Sequence, residues 1–214
     1  MIAIVDYGVG NLKSVEKAFS HIGCDVVVTS DADTVNRADA VVLPGVGAFD
    51  AAMANLVGTG LHRTIEHVIS VNKPFLGICL GMQLLFDFSE EGANIDTNAA
   101  GAGIKGLGIF KGGIRQLPAK PGIKVPHMGW NSINTAPDCA LFQGLPANPY
   151  VYFVHSYYLH AEDRKIVSST VSYGMDFDSS ISVGNIHATQ FHPEKSGELG
   201  LNILRNFIRL VNEK

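Results

Sequence analysis

The sequence predicts an α/β protein: one domain in three layers, with a central, mostly parallel sheet, helices on both faces and a smaller antiparallel portion in the C-terminal half. Two observations carry this. Between residues 2 and 78, short runs of branched and aromatic apolar residues alternate with stretches of helical period. Such alternation needs βαβ crossovers, whose helices cover a buried parallel sheet. From Gly113 onward, short strand-like runs follow one another directly, separated by Pro, Gly and Asn, as in antiparallel or mixed sheets.

Ile2–Val5 is a continuous apolar run and reads as a buried strand. Residues 12–22 place Val15, Ala18, Phe19 and Ile22 on one helical face, with Gly23 as the stop. Residues 25–28, 40–43 and 75–78 repeat the strand pattern, and helices are expected over 49–56 and 61–71. Residues 82–86 are good helix formers, so the chain turns sharply between Ile78 and Met82. Residues 89–113, with glycine at 92, 101, 103, 106, 108, 112 and 113, are expected to be mostly loop, and the role of the stretch 92–108 is open. Strands are then expected over 113–117, 123–126, 150–154, 166–173 and 186–191. A closing helix over about residues 197–212 buries Leu199, Leu201, Ile203, Leu204, Phe207, Ile208 and Val211. No internal repeat and no linker interrupts the chain, so residues 1–214 read as one domain.

At 214 residues the chain can bury about 70% of the surface its unfolded form exposes, and it needs no covalent staples. Its three cysteines, Cys24, Cys79 and Cys139, lie far apart with no C-x-x-C pair, which points to neither a disulfide framework nor a zinc site. A net charge of −4 without a Lys/Arg cluster argues against nucleic acid as the main ligand. The start lacks a charged segment followed by a long apolar one, and no run of apolar residues is long enough to span a bilayer. These features lead us to expect a soluble, cytoplasmic protein without a membrane partner.

The chemistry centres on Gly77-Ile78-Cys79-Leu80-Gly81, where an apolar strand meets a helix. Glycine two positions before and two after Cys79 removes side chains where strand end and helix start must nearly touch, a nucleophile elbow written with Cys in place of Ser. The first turn of the following helix is expected to favour thiolate over thiol. A nucleophilic Cys needs a base and the base an orienting group. Of the eight histidines, His192 follows a predicted strand at the end where α/β sites lie, and in an extended segment Glu194 would share its side of the chain. Acyl chemistry also needs two donors for an oxyanion. The elbow supplies the Leu80 N–H, and the loop Gly45-Val46-Gly47 is the candidate for the second. Asp6-Tyr7-Gly8-Val9-Gly10-Asn11 lacks the third glycine of a dinucleotide fingerprint, Lys13 standing in its place, so no cofactor is expected.

Taken together, G-x-C-x-G-x-Q at Gly77 to Gln83 and the later His192-Pro193-Glu194 resemble the triad-type (class I) glutamine amidotransferases, over the whole chain. Within them the chain is similar to the group of glutaminase subunits that serve imidazole glycerol phosphate synthesis. That likeness rests on Asp6-Tyr7-Gly8 with Gly10-Asn11, Pro44-Gly45-Val46-Gly47-Ala48-Phe49, Pro126-His127-Met128-Gly129-Trp130-Asn131 and Phe153-Val154-His155-Ser156-Tyr157. The resemblance implies that Cys79 attacks the glutamine side-chain amide, His192 moves the proton and Glu194 fixes His192. It implies that Gln83 helps hold the substrate and that the Ser156-Tyr157 backbone holds its carboxylate. It also implies that ammonia passes to a (β/α)₈ cyclase subunit, faced by Trp130 and Lys195. Two other readings stay open: a Cys-His-Glu peptidase of the same fold, which would show an open groove and need no partner, and a binding or sensing module acting through Cys79. An oriented base beside the cysteine counts against the second.

Overall fold

The computed structural model describes residues 1–92 and 103–212 of the chain. Its first part alternates as expected: β1 (Ile2–Val5), α1 (Leu12–His21), β2 (Val26–Thr29), α2 (Ala32–Arg37), β3 (Ala40–Gly45), α3 (Phe49–Gly58), α4 (Leu61–Ser70) and β4 (Phe75–Cys79). The strands lie in the order β2-β1-β3-β4, each parallel to its neighbour. Because side chains alternate across a strand, Ala3, Val5, Val41, Leu43 and Phe75 enter one core with Val35, Phe49, Leu56 and Ile65 of α2 to α4. Ile2, Ile4, Val42, Leu76 and Ile78 enter the other, with Val15 and Phe19 of α1. Helix α2 is an addition to the sequence reading. Asp31 caps it, its carboxylate accepting the Thr34 N–H at 2.9 Å.

The second part runs α5 (Leu80–Gln83), β5 (Phe86–Ser89), β6 (Ile104–Lys105), β7 (Phe110–Gln116), β8 (His127–Thr135), β9 (Tyr150–His155), β10 (Tyr157–Ala161), β11 (Val167–Ser172), β12 (Asp176–Val183), β13 (Ile186–Thr189) and α6 (Gly197–Asn212). Most of these strands pair antiparallel, but β13 returns to lie parallel beside β4, with Thr189 opposite Ile78. That pairing brings the chain after β13 to the end of β4. Helix α6 closes the second core with Ile203, Leu204 and Phe207. Among the described residues, no helix is long and apolar enough to cross a membrane.

Four readings are corrected. The helix expected over 82–86 is a single turn ending at Gln83, and Phe86 opens β5. The carbonyls of Leu84, Leu85 and Phe86 are taken by the N–H groups of Leu107, Ile109 and Gly108, and tertiary pairing overrides helix propensity. The stretch 89–113 is less of a loop than expected, since it holds β6 and the start of β7; its residues 93–102 lie outside the described part. Gly103 and Gly106 there are packing residues, for a Cβ would come 2.5 Å from the Ser89 carbonyl oxygen and 2.3 Å from that of Phe86. No strand forms over 123–126; pairing begins at His127, just beyond Pro126, which has no N–H to give. Strands β8, β10 and β12 lay outside the reading, β8 and β12 because they are rich in polar residues. In β12, Asp178 is buried against Arg164, and Ser179 and Ser180 bond Ser169 and Ser168.

Candidate active site

Cys79 ends β4 and stands at φ 54°, ψ −110°, a left-handed backbone that a non-glycine residue adopts only under constraint. The constraint is contact. A Cβ on Gly81 would lie 1.8 Å from the Leu43 carbonyl oxygen, and one on Gly77 would lie 3.0 Å from that of Gly81. Gly45 is pressed into the same junction, where a Cβ would come 2.7 Å from the Tyr7 hydroxyl and 2.8 Å from the Leu80 Cβ. Tyr7 braces the neighbouring loop by donating to the Pro44 carbonyl at 3.0 Å, and burial, then the nearby Cys79, push its phenol above the usual range. The helix that follows the cysteine is only four residues long.

His192 reaches Cys79 because β13 lies beside β4. Its backbone N–H bonds the Tyr152 carbonyl at 2.9 Å, and its own carbonyl accepts the Ser196 hydroxyl at 2.6 Å. Both imidazole and partner carboxylate are buried, with Nδ1 2.8 Å from Glu194 Oε1. Pro193–Lys195 forms a 3₁₀ turn rather than extended chain, with His192 as its extended cap, and the turn still sets Glu194 against the ring. Burial opposes a charge on His192, but the adjacent Cys79 sulfur and the Glu194 carboxylate outweigh it and push the imidazole pKa up to about 10. Among the described residues, no aligned hydrogen bond joins Nε2 to a partner in this resting arrangement. That is a common state of such pairs before substrate arrives.

Cys79 and His192 open into a cavity of about 300 Å³ that also takes in Val46, Gly47, Leu80, Gln83, Glu91, His155, Ser156 and Tyr157. The structure thus gathers most of the sequence-derived residues at one place. Gly45 lies beneath the elbow rather than in the cavity, Glu194 stands behind His192, and Trp130 and Lys195 are on a neighbouring face. Gln83 donates through Nε2 to the Tyr157 carbonyl at 3.1 Å and to Gln190 Oε1 at 2.9 Å, which commits its amide hydrogens and leaves its carbonyl oxygen as the group to offer a ligand.

Sequence reasoning missed Glu91, whose carboxylate accepts the Phe49 N–H at 3.0 Å and whose pKa is raised, chiefly by burial. It sits in an aperiodic stretch that carried no signal. Missed as well were His155 and Gln190. Gln190 was within reach of the argument, being two residues before His192 as Glu194 is two after it.

Trp130 is 56% exposed, not a core aromatic. It packs edge-on against Tyr152 of β9 at 6.2 Å, and Lys195 Nζ lies 6.0 Å from the same ring. Met128 and Tyr150 extend this exposed apolar face.

The model of the family "Glutamine amidotransferase class-I" matches residues 3–211. Imidazole glycerol phosphate synthase subunit HisH of Thermosynechococcus vestitus is 47% identical over 214 residues, covering 99% of this chain and 98% of that protein. The protein of the same name from Moorella thermoacetica is 49% identical over 210 residues, covering 98% and 95%. The one from Methanothermobacter thermautotrophicus is 49% identical over 211 residues, covering 99% of each. Among solved structures, a glutamine amidotransferase superposes with a TM-score of 0.73 at 14% identity over 99% of this chain and 100% of that one. PurLQS from Thermotoga maritima gives 0.70 at 17% identity over 97% of each. At such identities these two likenesses speak for the fold. An elbow cysteine, a carboxylate-backed histidine and full-length relatives near half identity agree: the chain belongs to the class I glutamine amidotransferases and, within them, to the HisH subunits of imidazole glycerol phosphate synthase.

Proposed function

We propose that residues 1–214 form one amidotransferase domain that works as the glutaminase of imidazole glycerol phosphate synthase, hydrolysing L-glutamine to glutamate and ammonia for histidine biosynthesis. The observation that carries this is the meeting of Cys79 with the His192–Glu194 pair in one cavity. Cys79 attacks the side-chain amide carbon, and the oxyanion is met by the Leu80 N–H and by an N–H of the Gly45-Val46-Gly47 loop. His192, held by Glu194, gives its proton to the departing ammonia, then takes one from the water that opens the thioester. The carbonyl oxygen of Gln83 and the carboxylate of Glu91 are suited to the substrate's α-ammonium, and the Ser156-Tyr157 backbone to its carboxylate. A cavity of about 300 Å³ is large enough for a single amino acid such as glutamine.

The HisH relatives are subunits by name, and a (β/α)₈ cyclase is the partner we assign, docking on the face of Trp130 and Lys195 and receiving the ammonia. Supporting this is the exposure of Met128, Trp130 and Tyr150 together. The test is ammonia release from glutamine with and without the cyclase and its nucleotide ligand. Peptide hydrolysis without glutamine turnover would overturn the reading.

A further inference from the structure

Gln190 is fully buried, and its side-chain amide lies between two residues of the site, Gln83 and Cys79. Its polarity follows from a group that has no choice. The Tyr157 carbonyl can only accept, so the Gln83 atom 3.1 Å from it is the nitrogen. That nitrogen also stands 2.9 Å from the Gln190 amide, which must therefore present its oxygen there. The Gln190 nitrogen is left turned toward Cys79, 3.6 Å from Sγ. Accordingly the sulfur is met by a fixed donor on one side and by His192 on the other. A carbonyl or carboxylate at the same point would repel a thiolate, and a methyl would leave it bare.

We propose that Gln190 is a catalytic hydrogen-bond donor that holds Cys79 as a thiolate in the attacking orientation, with Gln83 and the Tyr157 carbonyl setting the direction of its amide. This rests on Cys79 being the nucleophile. It assigns Gln83 a second duty beside substrate contact, since loss of its amide hydrogens lets the Gln190 amide turn over. Nothing moves covalently: the donor stabilises the sulfur's negative charge before attack and again as the thioester breaks.

The test uses Gln190→Glu, which keeps the shape and the oxygen that Gln83 bonds but puts an oxygen against the sulfur. Cys79 alkylation by iodoacetamide is followed against pH, with Cys24 and Cys139 distinguished by mass mapping. The midpoint should move upward by about one pH unit, the worth of one hydrogen bond to a charged group, and kcat should fall about tenfold or more with KM for glutamine within about threefold. Gln190→Met should behave alike and serves if the first variant does not fold. In the unsubstituted protein, the side-chain amide protons of Gln190 should shift with the ionisation of Cys79 and lose that response in Cys79→Ala, a measurement that needs no Gln190 variant. An unchanged alkylation profile, or amide protons blind to Cys79, overturns the proposal. If the unsubstituted enzyme, assembled with its partner, shows no Cys79-dependent glutaminase, the reading of the site itself fails, which is a separate result.

Discussion

His127 Nδ1 and His155 Nε2 lie 3.0 Å apart in the protein interior, and the pair can bond in only one direction. His155 Nδ1 stands 2.9 Å from the Tyr157 carbonyl and must donate to it, so its Nε2 is bare and accepts from His127. His127 Nε2, bare in turn, accepts from the Asn131 amide at 3.3 Å. The chain of bonds runs from the strand that carries Trp130 to the carbonyl that orients Gln83, and it holds only while both rings are neutral. Burial lowers the pKa of His127 to about 4; burial, then the His127 charge, lower that of His155 to about 3.

Acid should therefore loosen the fold in a defined window. His187 is also held neutral by burial, at about 4. In the unfolded chain these rings take up protons near pH 6.5. Their contribution is thus complete above about 6.5 and is lost as pH falls toward 4. His192, raised to about 10, acts in the opposite sense, its contribution complete below about 6.5 and lost as pH rises through 10. Melting temperature followed by circular dichroism should drop between pH 7 and pH 4.5, and a flat profile there contradicts the neutral-histidine account.

If the proposed cyclase partner carries the synthase chemistry, Cys79→Ala should abolish glutamine-dependent synthesis while sparing ammonia-dependent cyclisation in the assembled enzyme. Residual glutaminase in the variant would remove Cys79 from the nucleophile's role. Loss of both activities would point to failed folding or docking.

On the roles proposed for Cys79 and His192, removing the carboxylate behind His192 leaves nucleophile and base present but misaligned. Glu194→Gln should lower kcat less than Cys79→Ala or His192→Asn does. The double variant of Cys79 and His192 should be no worse than either alone, since the two act as a unit; additive losses would refute that.

An elbow glycine and a surface glycine should differ sharply in their tolerance of a side chain. Gly81→Ala drives a methyl against the Leu43 carbonyl and should cost about 3 kcal/mol or more, or prevent folding. Gly58→Ala, at the exposed end of α3 with nothing near, should be neutral or stabilise by about 0.5 kcal/mol. Denaturant midpoints measure both, and a mild Gly81→Ala would mean that strand and turn are looser than described.

Gly47 stands at φ 98° with open space where a side chain would be, so its peptides are free to reorient at little steric cost. If the loop donor turns toward the oxyanion only on docking, glutamine turnover should rise about 10²- to 10³-fold with partner and nucleotide while glutamine affinity changes little. Full activity of the isolated chain would leave Gly45 and Gly47 as turn residues alone.

The parallel half, the elbow and the His192–Glu194 pair were legible in the chain because their signals are local. Apolar alternation, glycine spacing about Cys79 and a two-residue separation can all be read within a short window. Strands β8 and β12 could not be read in that way. Their polar residues are buried only because partners far along the chain answer them, as Arg164 answers Asp178 at 2.6 Å. The early end of the helix after Cys79 was likewise settled from afar, by residues 107–109 between β6 and β7, which bond the carbonyls of Leu84, Leu85 and Phe86. The pairing of β13 with β4 is the decisive case. No property of residues 186–192 names residue 79 as their neighbour. The union arises because one parallel strand completes the sheet, and with it come the approach of His192 and the donor that Gln190 turns to the sulfur.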